Sequence, residues 1–199
     1  MAPLKLALAA IALCWTSSAH ADPVARWQPH IAEASARFGV PSDWIERVMR
    51  AESGGRTTLG GRPITSRAGA MGLMQLMPGT WAMMRARLRL GTDPHDPRDN
   101  ILAGTAYLRM MYDRFGHPGM FAAYNAGPGR YAAWLAGRAR LPGETVDYLA
   151  TVTGSDLPSR TPPKLPPATS RQAAGKTAKM ARIPAQEPDA IFFIRRPGS

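Results

Sequence analysis

Hydrophobic residues recur at the spacing of an α-helix along most of residues 22–154, and this pattern constrains the fold more than any other feature. The first such stripe consists of Trp27, Ile31, Ala34 and Phe38, at positions i, i+4, i+7 and i+11. Gly39 follows this stripe and is a typical helix end, because glycine readily adopts the left-handed conformation. Sustained alternation of β-branched residues, which would indicate strands, is absent. The sequence therefore predicts a mainly α-helical domain.

Most of the later helical segments begin at a proline, which is favoured in the first turn of a helix. The predicted segments are 41–52, a helix from Pro78 onward, 97–115, a short helix that ends at Gly127, 130–135, and 142–152. The longest of them has a predicted buried face made of Ile101, Gly104, Leu108, Met111 and Phe115. Residues 56–70 contain several glycines and arginines but no periodicity, which predicts a surface loop.

The two ends of the chain differ in composition from the part between them. Residues 1–21 have a positive start, an apolar run at 6–13 and a small-x-small site at 19–21, as in a secretory signal peptide. The apolar run is too short for a stable membrane anchor. Residues 155–199 are rich in proline, lysine, alanine and serine. We predict a signal peptide at 1–21, one folded domain at 22–154 and a disordered basic tail at 155–199.

Cysteine and histidine usage excludes several kinds of site. The single cysteine, Cys14, lies in the predicted signal peptide, and Leu13 before it fits a lipoprotein site poorly. The secreted chain would then contain no disulfide and no thiol nucleophile. The four histidines have no metal-ligand spacing, so we predict neither a metal nor another cofactor.

The net charge of +11 is shared between the domain and the tail. Residues 22–154 carry 16 basic and 11 acidic side chains, and residues 155–199 carry 8 and 3. A basic secreted protein suits an anionic polymer, and a wall glycan with acidic peptides and a nucleic acid both fit this charge. The tail lacks the interleaved aromatic residues of nucleic-acid binders, so nucleic acid is not the expected partner.

Glu52 is the strongest candidate for a catalytic residue. At helical spacing it shares one face with the apolar residues Ile45, Val48 and Met49. A carboxyl group on an apolar face has a raised pKa, because burial disfavours the charged form. A neutral carboxylic acid is the general acid that cleavage of a glycosidic bond requires. A structural alternative is that Glu52 reaches solvent from the helix end.

Two further stretches combine polar side chains with flexible turns. In Gly72-Leu73-Met74-Gln75, an amide stands among apolar neighbours and must find a partner, which is either the backbone or a ligand. Near Gly127, Tyr124 and Asn125 occupy the last turn of a short helix. The tyrosine offers a ring face and a hydroxyl to a sugar. Asn125 either contributes to the same site or caps the helix.

These stretches, in this order, resemble the soluble lytic transglycosylase domain, a relative of goose-type lysozyme. The resemblance rests on Glu52-Ser53, Gly72-Leu73-Met74-Gln75 and Ala123-Tyr124-Asn125 before Gly127. Two weaker features are Asn100-Ile101 with Gly104 before Tyr107-Leu108, and Glu144-Thr145 with Tyr148. The similarity covers roughly residues 31–152. The sequence departs from the family pattern at Gly55-Arg56, where an aromatic or bulky apolar residue is usual. It also has a long, arginine-rich loop before Gly72.

The resemblance implies a single lysozyme-like helical domain with a glycan cleft. It also implies a periplasmic enzyme that cleaves the β-1,4 bond between N-acetylmuramic acid and N-acetylglucosamine without water, giving 1,6-anhydromuramyl products. Glu52 would act as acid and then as base, and the family assigns substrate-binding roles to Ser53, Met74, Gln75, Tyr124, Asn125, Glu144 and Tyr148. Ser53 would orient Glu52. The partner would be a peptidoglycan strand, with a secretion or conjugation apparatus as a candidate partner of the tail.

Two other functions remain open at the level of sequence. A muramidase would use water as the acceptor, and a second acid near Glu52, such as Glu144 or Asp147, would favour it. A non-catalytic peptidoglycan-binding scaffold would keep the fold and not need the Glu52 carboxyl group.

Overall fold

The computed structural model describes residues 22–153, and the predicted signal peptide and tail lie outside them. A 3₁₀ turn at Ala25–Trp27 precedes the first helix. The helices are α1 Gln28–Phe38, α2 Ser42–Glu52, α3 Pro78–Leu88, α4 Pro97–Phe115, α5 Gly119–Ala126, α6 Pro128–Leu135 and α7 Gly143–Thr153. Two short strands, β1 Thr58–Leu59 and β2 Arg62–Pro63, lie between α2 and α3. The predicted helical class is therefore confirmed.

Helix α4 forms the centre of the fold, and α1, α3 and α5 pack around it. Its start follows from sequence, because the Asp96 side chain accepts a hydrogen bond from the Asp99 amide and Pro97 occupies the first turn. All five residues of its predicted buried face are buried. Gly104 allows a close approach, since a Cβ atom there would lie 2.5 Å from Cβ of Met74. This contact joins α4 to the Gly72–Gln75 segment.

The first two helices end as their glycines predict. Gly39 follows α1 with φ 64°, and Gly54 follows α2 with φ 62°. Of the predicted α1 stripe, Ile31 and Ala34 are fully buried, while Trp27 and Phe38 pack against the core from partly exposed positions. Glu52 is therefore the last residue of α2, at the point where the chain leaves the core.

Within the predicted surface loop at residues 56–70, the structure adds a short hairpin that the sequence pattern did not indicate. Strands β1 and β2 pair antiparallel, with Leu59 opposite Arg62. Gly60 and Gly61 between them both have positive φ angles, as tight hairpin turns require. Two-residue strands are too short to produce a visible alternation, which is why the sequence does not reveal them. Ile64, just after β2, is fully buried and fixes the hairpin to the domain.

Helix α7 completes the domain by packing against both α2 and α5. This arrangement places residues from the carboxyl-terminal end of the domain beside the end of α2. Among residues 22–153, no helix is both long enough and apolar enough to span a bilayer.

Candidate active site

Glu52 is the last residue of α2, and the three apolar residues that share its face are fully buried. The residue as a whole is only half-buried, but its carboxyl group is surrounded by protein. Loss of hydration disfavours the charged form and raises the pKa of Glu52 to about 8. The nearby Tyr148 hydroxyl opposes this effect, because its interaction with the carboxylate lowers the pKa of Glu52. The outcome is a carboxylic acid that keeps its proton at neutral pH.

Two tyrosine hydroxyl groups lie close to this carboxyl group. Burial raises the pKa of Tyr148 and of Tyr124 well above the usual range, and the Glu52 charge raises both further. The Tyr148 hydroxyl is buried and interacts with Glu52, but not in the geometry of a regular hydrogen bond. It has no regular hydrogen-bond partner among residues 22–153. A buried hydroxyl left in this state is costly to the fold and typical of a functional site.

The Tyr124 hydroxyl, in contrast, is held firmly. It donates a 2.8 Å hydrogen bond to the main-chain oxygen of Met74, and its ring packs against Tyr107 at 5.3 Å between centroids. The Met74 amide in turn donates to Oδ1 of Asn100 over 2.7 Å. Tyr124 therefore links α5 to the segment that carries Gln75, and its hydroxyl proton is committed to the backbone.

Gln75 has a positive φ of 46°, an uncommon conformation for a residue with a side chain. Its Nε2 donates to the Gly72 oxygen over 2.8 Å. Of the two partners expected from sequence, the backbone or a ligand, the backbone therefore holds the Nε2 group. The Oε1 atom has no hydrogen-bond donor within the described part of the chain. This acceptor is consequently available to a ligand.

Asn125 and Glu144 lie near the contact between α5 and α7. The Thr145 hydroxyl donates to Oδ1 of Asn125 over 2.8 Å, which joins the two helices. Glu144, in the first turn of α7, is half-buried and forms no ion pair among residues 22–153. Neither Glu144 nor Asp147 contributes to the pKa shift of Glu52, whose causes are burial and Tyr148.

Ser53 is buried beside Glu52, but its hydroxyl bonds to the backbone. Its Oγ donates to the Met49 oxygen over 3.2 Å and accepts from the Gly55 amide over 3.1 Å. Any influence of Ser53 on Glu52 thus acts through the helix end and not through a direct hydrogen bond.

Sequence reasoning missed the roles of Asn100 and Thr145 in assembling the site. Asn100 is fully buried and donates from Nδ2 to the oxygens of Met71 and Pro94, in addition to accepting from Met74. The available signal was an amide on the otherwise apolar face of α4. Among residues 22–153, no group of three or more metal-binding side chains is present.

Comparison with known proteins identifies the family of this domain. The family model for the transglycosylase SLT domain matches residues 29–146, which is more than half of the chain. The chain belongs to the transglycosylase SLT domain family. The matched range of this SLT domain includes Glu52, Gln75, Tyr124 and Asn125, whereas Tyr148 lies just beyond its end.

Curated relatives share this SLT domain but are longer proteins. The transglycosylase of Enterobacteria phage PRD1 is 34% identical over 140 residues, which is 69% of this chain and 48% of the phage protein. The soluble lytic murein transglycosylase of Escherichia coli K12 is 37% identical over 107 residues, 50% of this chain and 16% of that protein. The chain therefore spans about half of the phage relative and a much smaller share of the bacterial one.

Solved structures of lytic transglycosylases have a similar fold. The 70 kDa soluble lytic transglycosylase of Escherichia coli has a TM-score of 0.55 and 32% identity, over 63% of this chain and 22% of that chain. An inactive mutant of lytic transglycosylase Slt from Pseudomonas aeruginosa has a TM-score of 0.50 and 29% identity, over 64% and 21%. Together with the family match, these neighbours support the expected lysozyme-like helical domain.

Proposed function

We propose that this protein is a peptidoglycan lytic transglycosylase that cleaves the bond between N-acetylmuramic acid and N-acetylglucosamine without water. The observation that carries the proposal is the Glu52 carboxyl group, buried at a helix end with its pKa raised to about 8. The names of the relatives, which are soluble lytic murein transglycosylases and a phage transglycosylase, support the same activity.

In the first step, neutral Glu52 donates its proton to the glycosidic oxygen as the bond to C1 of the muramic acid breaks. General-acid catalysis is effective when the acid is protonated at working pH, as a pKa of about 8 ensures. The electron pair of the broken bond stays on the departing oxygen, which leaves as a hydroxyl group. Positive charge develops at C1 and on the ring oxygen.

That positive charge needs a stabilising partner, and the 2-acetamido oxygen of the substrate is the candidate. Most glycosidases use a second carboxylate for this purpose, while some families use the substrate itself. The single-carboxylate scheme is supported by the causes of the Glu52 pKa shift, which include no other acidic residue from the described range 22–153. The same observation disfavours the water-using muramidase.

In the second step, Glu52 is a carboxylate and takes the proton from the C6 hydroxyl group of the muramic acid. The C6 oxygen then forms a bond to C1, which closes the 1,6-anhydro ring and restores neutral Glu52. Tyr148 is placed to lower the cost of the charged form between the two steps, because its hydroxyl interacts with Glu52.

The remaining candidate residues would position the glycan. Oε1 of Gln75 is free to accept a hydrogen bond from the sugar, and Met74 and Tyr124 support the loop that carries it. Asn125 and Glu144 would contact the glycan at the contact between α5 and α7, where Thr145 holds Asn125. Ser53 would keep the end of α2, and therefore Glu52, in place.

The cellular setting of the proposal follows from the sequence at the two ends. A signal peptide at 1–21 would take the enzyme across the inner membrane to the periplasm. A compact wall-cutting domain with a basic tail would suit local opening of peptidoglycan for a secretion or conjugation apparatus, with the tail as the recruiting segment.

The test is mass spectrometry of the products that the purified protein releases from peptidoglycan, with Glu52→Gln in parallel. We expect anhydromuramyl ends from the wild type and a loss of at least about a thousandfold in the variant, since no second acid replaces Glu52. Glu46→Gln is the matched control, because Glu46 lies on the exposed side of α2 and pairs with Gln28.

Each other outcome points elsewhere. Reducing muramic ends would identify a hydrolytic muramidase that uses the same Glu52. Wall binding without release, unchanged by Glu52→Gln, would identify a non-catalytic scaffold. Full activity in the Glu52→Gln variant would remove Glu52 from the mechanism.

A further inference from the structure

The chain between Glu52 and Asp93 contains no acidic residue but six arginines. Three of them, Arg56, Arg62 and Arg67, lie in the segment that follows α2, and we call these three the arginine rim. All three are exposed, and none forms an ion pair among residues 22–153. Four arginines elsewhere in the domain pair with carboxylates: Arg47 with Asp43, Arg50 with Asp22, Arg98 with Glu33, and Arg109 with Asp113.

Hydrogen bonds to backbone oxygens hold this segment next to the candidate active site. It starts directly after Glu52, and Nε of Arg56 donates to the Ser53 oxygen over 3.1 Å. At its other end, the Gly72 amide donates to the Ile64 oxygen over 3.1 Å. Gly72 is also the residue whose oxygen holds the Gln75 side chain. The arginine rim is therefore built on the same stretch of backbone as Glu52 and Gln75.

Arg62 and Arg67 are presented by ordered turns. Arg62 is in β2, directly after the Gly60-Gly61 turn. Arg67 lies in a second turn, where the Gly69 amide donates to the Ser66 oxygen over 3.0 Å and the Ala70 amide donates to Oγ of Ser66 over 2.9 Å. Their attachment to the fully buried Ile64 and Ala70 limits the freedom of both turns.

An apolar side chain accompanies the charge. Leu59, opposite Arg62 in the hairpin, is 49% exposed and is the only exposed large hydrophobic residue in the described chain. A surface that combines guanidinium groups with an exposed leucine suits a peptide with carboxylate and small apolar groups better than it suits an uncharged sugar. The tail of this chain is an unsuitable occupant, because residues 155–199 are themselves basic.

We infer that the arginine rim binds the carboxylate groups of the peptides attached to the glycan strand, and so makes the enzyme prefer peptide-bearing peptidoglycan. This inference rests on the proposed function. Guanidinium groups recognise carboxylates through paired N–H donors. The rim would act on substrate binding and not on the chemical step, because its residues follow Glu52 in the chain and do not contribute to the Glu52 pKa.

The experiment compares two soluble substrates, glycan strands that carry their peptides and the same strands after removal of the peptides by an amidase. The variant is the double substitution Arg62→Gln and Arg67→Gln. The control, Arg37→Gln with Arg87→Gln, removes the same charge from exposed positions on α1 and α3. Thermal unfolding of all three proteins checks that each is folded.

We expect the rim variant to raise KM for the peptide-bearing strands roughly two- to tenfold with little change in kcat, as two exposed ion pairs allow. Its KM for stripped strands should equal that of the wild type. The wild-type preference for peptide-bearing strands should shrink as salt is added, because salt screens exposed charges. The control variant should behave like the wild type on both substrates.

Two results would overturn the inference. One is an unchanged KM of the rim variant on both substrates. The other is an equal rise in KM on both substrates, which would mean that the arginines bind the sugar or support the fold. Inactivity of the wild type on both substrates would instead count against the proposed function, so the two failures are distinguishable.

Discussion

Two buried polar sites in this domain differ in how well they are satisfied. Asn100, in α4, is fully buried and makes three hydrogen bonds of 2.7 to 3.0 Å to backbone groups of Met74, Met71 and Pro94. At the end of α2, the Glu52 carboxyl group has the Tyr148 and Tyr124 hydroxyls as neighbours, and the Tyr148 hydroxyl has no regular hydrogen-bond partner among residues 22–153. The Asn100 amide has all its partners, whereas the Tyr148 hydroxyl beside Glu52 has none in regular geometry among residues 22–153.

The difference separates a structural role from a functional one. A satisfied buried amide rigidifies the loops around it, and here it fixes the segment that carries Gln75. A desolvated acid keeps its proton and its lone pairs for a substrate. Asn100 therefore builds the frame, and Glu52 performs the proposed chemistry within it.

The strongest test of this contrast is Asn100→Ala. The substitution leaves the Met74 amide and the Pro94 oxygen without partners and removes one of the two hydrogen bonds to the Met71 oxygen, so we expect a loss of about 4 kcal/mol in the free energy of unfolding. Urea denaturation measures this loss. A loss below about 1 kcal/mol would mean that water or local rearrangement replaces the amide, and the structural role would be rejected.

Asn100→Ala is expected to destabilise the domain, whereas the effect of Glu52→Gln on stability is expected to depend on pH. Because the folded pKa of about 8 exceeds the ordinary value of 4.5, the unfolded state binds fewer protons between these pH values, and wild-type stability falls as pH rises through them. Below pH 4.5 both states are protonated and this contribution is absent.

We therefore expect the stability difference between the variant and the wild type to move in favour of the variant by on the order of 3 kcal/mol from pH 4 to pH 9. Denaturation curves at several pH values provide the measurement. Glu46→Gln should show no comparable trend, and a pH-independent difference for Glu52→Gln would contradict the raised pKa.

Thr105 sharpens the contrast within α4 itself. It is fully buried like Asn100, but its hydroxyl has no hydrogen-bond partner among residues 22–153. Thr105→Val keeps the shape and removes the unsatisfied group, so we expect a gain of about 1 kcal/mol in unfolding free energy. A loss of similar size would reveal a partner such as a buried water molecule.

The smallest effect concerns Tyr148→Phe. Removal of its hydroxyl removes the interaction that lowers the Glu52 pKa, so the alkaline limb of the activity profile should move to higher pH. We also expect a decrease in kcat, because the charged form of Glu52 loses a stabilising neighbour. Tyr112→Phe is the control, since Tyr112 packs against Trp44 and not against Glu52. An unshifted limb would show that the two groups do not interact.

Local sequence patterns predicted much of the fold. The bounds of α4 follow from Asp96, Pro97 and the apolar face, and those features depend only on nearby residues. The hairpin at residues 58–63 was not predicted, because its strands are held by pairing to each other and by the burial of Ile64, which local composition does not encode. The prediction that Glu52 shares the apolar face of α2 followed from its helical neighbours.

The sequence by itself determined the helical class of the domain, the end of α2 and the apolar face that Glu52 shares. Tertiary structure decided which groups surround the carboxyl: α7 brings Tyr148 to Glu52, and the Met74 oxygen takes the proton of Tyr124. The reason is physical. Helical periodicity is a property of neighbouring residues, whereas loss of hydration and hydrogen bonding arise only when distant segments pack together.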